Sequence, residues 1–383
     1  MEILLHQPEH ASCLSEIYQR ALRSARELYI VSAYLTAWDE KLRINTSCKR
    51  FRFIVGRDFG ITRKDACIAV LKSLPTERKG DFLVADDIQG FHPKAMFWRD
   101  RNEKYFMLVG SSNLTHAAHE KNVEANVVLD ITKNAFNNAR TWIDWISDRC
   151  VPVSEDWLSK YVEAPHRPGK SSTTKSGVDT PVPVIQLKLP RVARANANEF
   201  INVRRRQLIF HSKAKRGLNV LFRRCASGEI NSNQFYEQLP RYWGAKVGNL
   251  LQSSAWTRRG KTADFAELAN AFMNIRNAND SARDDVVRVQ LDFLHEARNP
   301  ARKAFFSEML CLQYPDKYPL LNSPVWNFLL KHKFRAARGS SEGSRYIDLA
   351  KKLRATLCSN PASLAKNLAE LDILIWKSEK QDR

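Results

Sequence analysis

Six short apolar runs alternate with helical segments over the first 150 residues, and no other feature constrains the fold as tightly. Leu28–Tyr34, Phe51–Gly56, Phe82–Val84, Pro93–Trp98, Tyr105–Val109 and Val123–Leu129 are too short for buried helices and rich in strand formers. Between them, Cys13–Glu27 sets Leu14, Ile17, Ala21, Leu22 and Ala25 at helical spacing. Lys64–Leu74 and Asn134–Cys150 also read as helices. Strands alternating with helices imply an α/β fold, a sheet with helices on both faces.

The pattern then stops. Residues 164–177 are rich in Pro, Gly, Ser and Thr and bury too little apolar surface to offset their ordering entropy. Residues 181–189 alternate apolar positions and read as an extended arm. From about residue 199 the periodicity is helical: Tyr346, Leu349, Ala350, Leu353 and Leu357 lie on one face. Asn360-Pro361 is expected to cap a last helix carrying Leu364, Leu368, Leu371 and Ile375. The expected organisation is a domain over 1–162, a linker over 163–198 and a basic, mostly helical domain over 199–383.

Charge separates the two halves. Residues 1–200 hold 29 Lys+Arg against 24 Asp+Glu, and residues 201–383 hold 32 against 17. An excess of +15 on one module suits a polyanion, and nucleic acid is the expected partner. Arg204, Arg205, Arg206, Lys213, Lys215, Arg216, Arg258, Arg259 and Lys261 are the candidate contacts. Nearby Phe235, Tyr236, Tyr242, Trp243 and Trp256 either stack on bases or pack. No apolar stretch approaches the roughly 20 residues of a membrane span, and the N-terminus lacks a signal-peptide pattern. A cytoplasmic location is expected, with no membrane partner. Seven cysteines, with no C-x-x-C pair, read as reduced thiols.

Three short pieces carry chemistry. His92-Pro93-Lys94 opens one strand, Gly110-Ser111-Ser112-Asn113 follows the next, and Glu124 starts another. An imidazole can attack phosphorus or protonate a leaving oxygen. Lys94, two residues on, shares a strand face with His92 and suits a phosphate oxygen. Ser111 and Asn113 offer neutral donors for phosphoryl oxygens, and Glu124 can fix the His92 tautomer. His116 and His119, three apart, are weak metal candidates without fitting partners, so no metal and no cofactor are expected. Arg57-Asp58 reads as a solvated loop within reach of the substrate mouth.

His92-x-Lys94 followed by Gly110-Ser111-x-Asn113 resembles the signature half-site of the phospholipase D superfamily. Glu124 matches the supporting glutamate of its nuclease branch, over about residues 25–150. The resemblance implies a mixed sheet flanked by helices, followed here by the mostly helical C-terminal domain. It implies a metal-independent nuclease acting on DNA, with RNA as an alternative, through a phosphohistidine. Only one half-site is present. His211-Ser212-Lys213 and His332-Lys333 have no Gly-Ser-x-Asn after them, so a homodimer through the nuclease domain is implied. Arg99 stands where the family usually has Asp, a departure that the metal-independent restriction-type branch tolerates. The weaker readings are a lipid-cleaving or phosphatidyl-transferring relative and a nucleic-acid-binding scaffold with an inactive site. Residues 305–322 and 371–376 also resemble helical modules of restriction and defence proteins, which implies a defence setting and a partner of unknown identity.

Overall fold

The computed structural model describes residues 1–7, 13–40, 42–115, 118, 122–164, 185, 187, 189–190, 194–244 and 262–381. The chain divides into two units, Met1–Ile185 with Arg335–Ser340, and Gln186–Phe334 with Ser341–Arg383. The bounds differ from the expected ones. A short segment late in the chain belongs to the first unit, and the first helix of the second starts inside the expected linker.

The first unit is built on one mixed sheet of eight strands, in the order β1-β7-β6-β5-β2-β3-β4-β8. These are β1 (Glu2–His6), β2 (Ala25–Ser32), β3 (Arg50–Val55), β4 (Phe82–Val84), β5 (Lys94–Asp100), β6 (Tyr105–Gly110), β7 (Glu124–Ile131) and β8 (Val151–Pro152). Only β2–β3 and β3–β4 pair in parallel; the other neighbours are antiparallel. Sequence patterning finds the six central strands and misses the two at the edges. β1 alternates exposed and buried residues over only five positions, and β8 has two residues. Edge pairing, not an apolar run, makes them strands.

Helices flank the sheet. On α1 (Leu14–Ser24), Leu14, Ile17, Tyr18, Ala21 and Leu22 are buried at the expected spacing. The chain enters β2 at Ala25, earlier than patterning places the strand, because the α1 cap residue Ala25 is already extended. On α3 (Lys133–Ser147), Phe136, Ile143 and Ile146 share a core with Tyr29, Val31, Ile54 and Phe97. α2 (Lys64–Ser73) and the short α4 (Glu155–Lys160) complete this unit. Arg57 does not lie in a solvated loop. Its guanidinium is 2.9 Å from the Asp86 carbonyl and 3.0 Å from its carboxylate, which also accepts from the Trp157 indole N–H at 3.0 Å.

The second unit is helical: α5 (Arg194–Ala226), α6 (Ser232–Gln238), α7 (Phe265–Asn277), α8 (Asp280–Glu296), α9 (Ala304–Gln313), α10 (Ser323–Lys331), α11 (Glu342–Cys358) and α12 (Leu368–Gln381). Every residue of α9 from Phe305 to Gln313 is buried, so that segment is a central core helix. The last helix starts at Leu368, later than the Asn360-Pro361 pair suggests. Asn367, not Asn360, gives the cap: its side-chain oxygen accepts from the Glu370 N–H at 2.8 Å. The Asn360 amide instead donates to the carbonyl of Thr356 at 2.7 Å, closing the preceding helix. Five of the seven thiols, Cys48, Cys67, Cys150, Cys225 and Cys311, are buried, and none forms a disulfide.

Candidate active site

β5, β6 and β7 run antiparallel side by side, with Ala95 opposite Val109 and Gly110 opposite Asn126. This register puts the start of β5, the end of β6 and the start of β7 at one edge. It gathers His92, Lys94, Ser111, Asn113 and Glu124, which span 33 positions of sequence, into one cluster.

His92 is exposed just before β5, and Lys94 is half-buried. The Lys94 ammonium lies 3.0 Å from His92 Nδ1 and 3.3 Å from Nε2. Burial pulls the Lys94 pKa below the ordinary lysine value, while the Glu124 carboxylate pulls the other way. The Tyr34 ring meets the imidazole edge-on, with centroids 5.7 Å apart.

The turn after β6 is pinned from several sides. Ser111 N–H donates to the Ala125 carbonyl at 3.0 Å, and its hydroxyl accepts from Ala125 N–H at 3.0 Å. That hydroxyl donates to Glu124 Oε2. The other carboxylate oxygen accepts from the Asn122 amide at 2.9 Å. Asn113 Oδ1 accepts from Tyr34 N–H at 3.2 Å, and the next residue pairs with Leu35 in an isolated bridge. The side-chain N–H₂ of Asn113 is thereby oriented, because its carbonyl end is committed. Buried Asn126 pairs with Ser112 twice: its amide donates to the Ser112 hydroxyl at 2.8 Å, and its oxygen accepts from Ser112 N–H at 3.3 Å. Gly110 is required here, since a Cβ would come within 2.2 Å of Asn126 Oδ1 and 2.4 Å of the Ala125 carbonyl.

One expected contact, Glu124 on His92, is not made within a single chain. Within the chain Glu124 is hydrogen-bonded to Ser111 and Asn122, and His92 is bonded to Lys94 instead. Within one chain Glu124 therefore holds the serine, and His92 is not among its partners there. The reason is register: Ser111 lies directly beside β7, while His92 stands outside the ladder ahead of β5.

No family model matches this chain. No curated protein matches it. Several solved structures are similar over part of it, two of them as follows. One is a phospholipase D family member, Nuc, from Salmonella typhimurium, at 17% identity and a TM-score of 0.31, covering 39% of this chain and 97% of that one. The other is NucT from Helicobacter pylori, at 16% identity and a TM-score of 0.27, covering 36% and 89%.

The basic candidates separate by their place on α5. Arg204 is buried and ion-paired with Asp372 at 2.7 Å, so the fold itself uses this charge. Arg205 is tied to Glu370 at 2.8 Å and half exposed. Arg206, Lys213 and Arg216 are exposed, and Lys215 is half-buried. His211 is buried, and its pKa is pushed down to about 4 by desolvation, with Lys215 adding to it, so it is a neutral core histidine. Phe235 and Trp243 are buried and pack: Phe235 stacks on Phe265 at 4.9 Å, and Trp243 meets Phe305 edge-on. Arg258, Arg259, Lys261, Trp256, His116 and His119 lie outside the described residues, as do most of the expected linker and arm.

Among the described residues, no group of three or more His, Cys, Asp or Glu is placed to hold a metal. None of their helices is long and apolar enough to cross a membrane. Arg99, at the far end of β5 from the cluster, bridges Glu27 at 2.9 Å and Glu103 at 2.7 Å. Sequence reasoning passed over Tyr34, which carries no motif. It reaches the site only because β2 lies next to β5 in the sheet.

Proposed function

We propose that this chain is a homodimeric endonuclease that cleaves DNA phosphodiester bonds without a metal, through a phosphohistidine. The observation that carries the reading is the pairing of an exposed imidazole with a half-buried ammonium, 3.0 Å apart, beside a serine fixed by a carboxylate. Phosphoryl transfer asks chiefly for positioning and charge stabilisation. An arriving phosphate draws the Lys94 ammonium to its own oxygen and frees the His92 ring. The ring nitrogen forms a bond to phosphorus as the P–O bond to the leaving nucleoside breaks. A proton from the partner's His92 goes to the leaving oxygen. Water then attacks phosphorus, gives its proton to that partner imidazole and displaces His92. Ser111, Asn113 and Lys94 hold the phosphoryl oxygens, and Glu124 holds Ser111.

One chain carries one such histidine, so the general acid comes from a second copy. The sheet face beside the site favours that arrangement. Ile3 and Leu5 on β1 are 60% and 70% exposed, and Val109 of β6 lies in the same row as Ile3, across Val127. Exposed apolar residues on the strands either side of β7, next to an incomplete site, suit a two-fold contact. Exposed Arg206, Lys213 and Arg216 supply sequence-independent attraction to DNA, and restriction or phage defence is the setting.

The test is DNA cleavage in excess EDTA. Cutting is expected to persist, His92→Ala is expected to abolish it with DNA binding retained, and Leu5→Lys is expected to yield inactive monomers in ultracentrifugation. A strict requirement for Mg²⁺, or cutting by His92→Ala, refutes the mechanism.

A further inference from the structure

The loop Arg57–Gly60, next to the site, holds its aromatic side chain in a costly conformation. Phe59 has φ +58°, ψ +8°, in the left-handed region that bulky side chains avoid. Its side chain gains nothing from burial, because it is 80% exposed. A strained backbone that presents an apolar ring to solvent persists only where its surroundings impose it.

Those surroundings are visible at each residue of the loop. Arg57 is anchored on Asp86 through both its carbonyl and its carboxylate. The Asp58 carboxylate accepts from Gly90 N–H at 3.0 Å, two residues before His92. Gly60 N–H donates to the Arg57 carbonyl at 3.2 Å, and the Gly60 carbonyl accepts from Ala164 N–H at 2.9 Å. The loop is thus tied to the segment that carries His92. Asp58 also lies close enough to Tyr34 to raise its phenol pKa, after burial the second cause, and Tyr34 meets the His92 ring edge-on. Tyr34 therefore borders the imidazole, and Asp58, bonded to Gly90, brings the loop that carries Phe59 to the same side of the site, that of β2 and β3. Asp58 repels a phosphate, so this border suits the base side of a nucleic acid and not its backbone.

We infer that Phe59 is a stacking residue that binds an unpaired base flanking the scissile phosphate at His92. The inference rests on the nuclease reading for its ligand class. A ring without hydrogen-bonding groups accepts any base, so it contributes affinity without sequence preference. It also favours single-stranded or unstacked substrate over intact duplex, because a paired base has both faces covered.

The experiment measures binding by full-length protein of two single-stranded oligonucleotides, one normal and one with abasic sites throughout, with cleavage followed separately. Phe59→Ala is expected to weaken binding of the normal strand by about 5- to 150-fold, the usual range for one base stacked on an aromatic ring. Binding of the abasic strand is expected to be unchanged. Phe59→Trp is expected to retain binding and Phe59→Leu to lose it. Phe59→Gly, which relaxes the positive φ, is expected to raise the unfolding midpoint while losing binding; a merely structural phenylalanine would lose stability. Equal weakening on both strands, or rescue by leucine, overturns the inference. If the wild-type protein cuts neither strand while the base-dependent difference in binding persists, the nuclease reading fails and the stacking role stands.

Discussion

Replacing Gly110 by alanine tests the site's construction directly. The added Cβ meets three atoms of β7, Asn126 Oδ1 at 2.2 Å, the Ala125 carbonyl oxygen at 2.4 Å and Asn126 Cα at 2.6 Å. To reach even 3.0 Å the carbonyl has to retreat by about 0.6 Å. It cannot turn away cheaply, because it accepts from Ser111 N–H. Asn126 cannot swing out cheaply either, being buried and bonded twice to Ser112. The strain therefore falls on the β6–β7 ladder at the point where Ser111 and Glu124 meet. Overpacking costs about 1–3 kcal/mol, and disturbing the buried Asn126 pairing adds about 1–3 kcal/mol. A loss of roughly 2–6 kcal/mol is a large part of the 5–15 kcal/mol typical of a domain. Urea unfolding of the full chain, fitted with separate transitions for the two units, is expected to show a lower midpoint for the first transition alone. Cleavage by the folded fraction is expected to drop on the order of 100-fold, the usual cost of a 1 Å misplacement at a reacting centre. Asn126→Ala in the same chain removes one of the three collisions and is expected to recover part of the stability. A Gly110→Ala protein within about 0.5 kcal/mol of wild type would refute the argument that this glycine is imposed by the packing of the site.

Lys94 is expected to set the alkaline limit of the proposed reaction. Its charge is present below its pKa and lost above it, and burial has lowered that pKa, so cleavage is expected to decline at lower pH than for a solvent-exposed lysine. Glu124→Gln removes the opposing pull and is expected to move that limb of the kcat/KM profile further down; a limb that stays or rises contradicts the coupling. Arg204→Ala leaves Asp372 buried without its cation and is expected to cost about 3–5 kcal/mol in the second unit. The Asp372 pKa, already raised to about 6 by burial, is expected to climb further. A loss under about 1 kcal/mol in urea unfolding would mean the pair behaves like a surface bridge.

The sequence alone determined the central sheet and supplied the candidates for the site. Most inner strands are buried on both faces or, like β7, alternate, so composition announces them whatever they pair with. The five site residues were legible because they lie at strand starts and ends within 33 positions, where strand register keeps sequence neighbours together. The uneven charge was also legible, but not its use. Arg204, Arg205 and Arg206 are consecutive and chemically alike. Only the helix period and the position of α12 decide that the first is buried on Asp372, the second half held by Glu370 and the third exposed. Tertiary structure likewise decided that β1 lies beside β7, that within the chain Glu124 bonds Ser111 and not His92, and that Tyr34 borders the imidazole. These contacts join residues up to about 130 positions apart. No local propensity encodes them, because they follow from which strands become neighbours and how the loops between them are tied down.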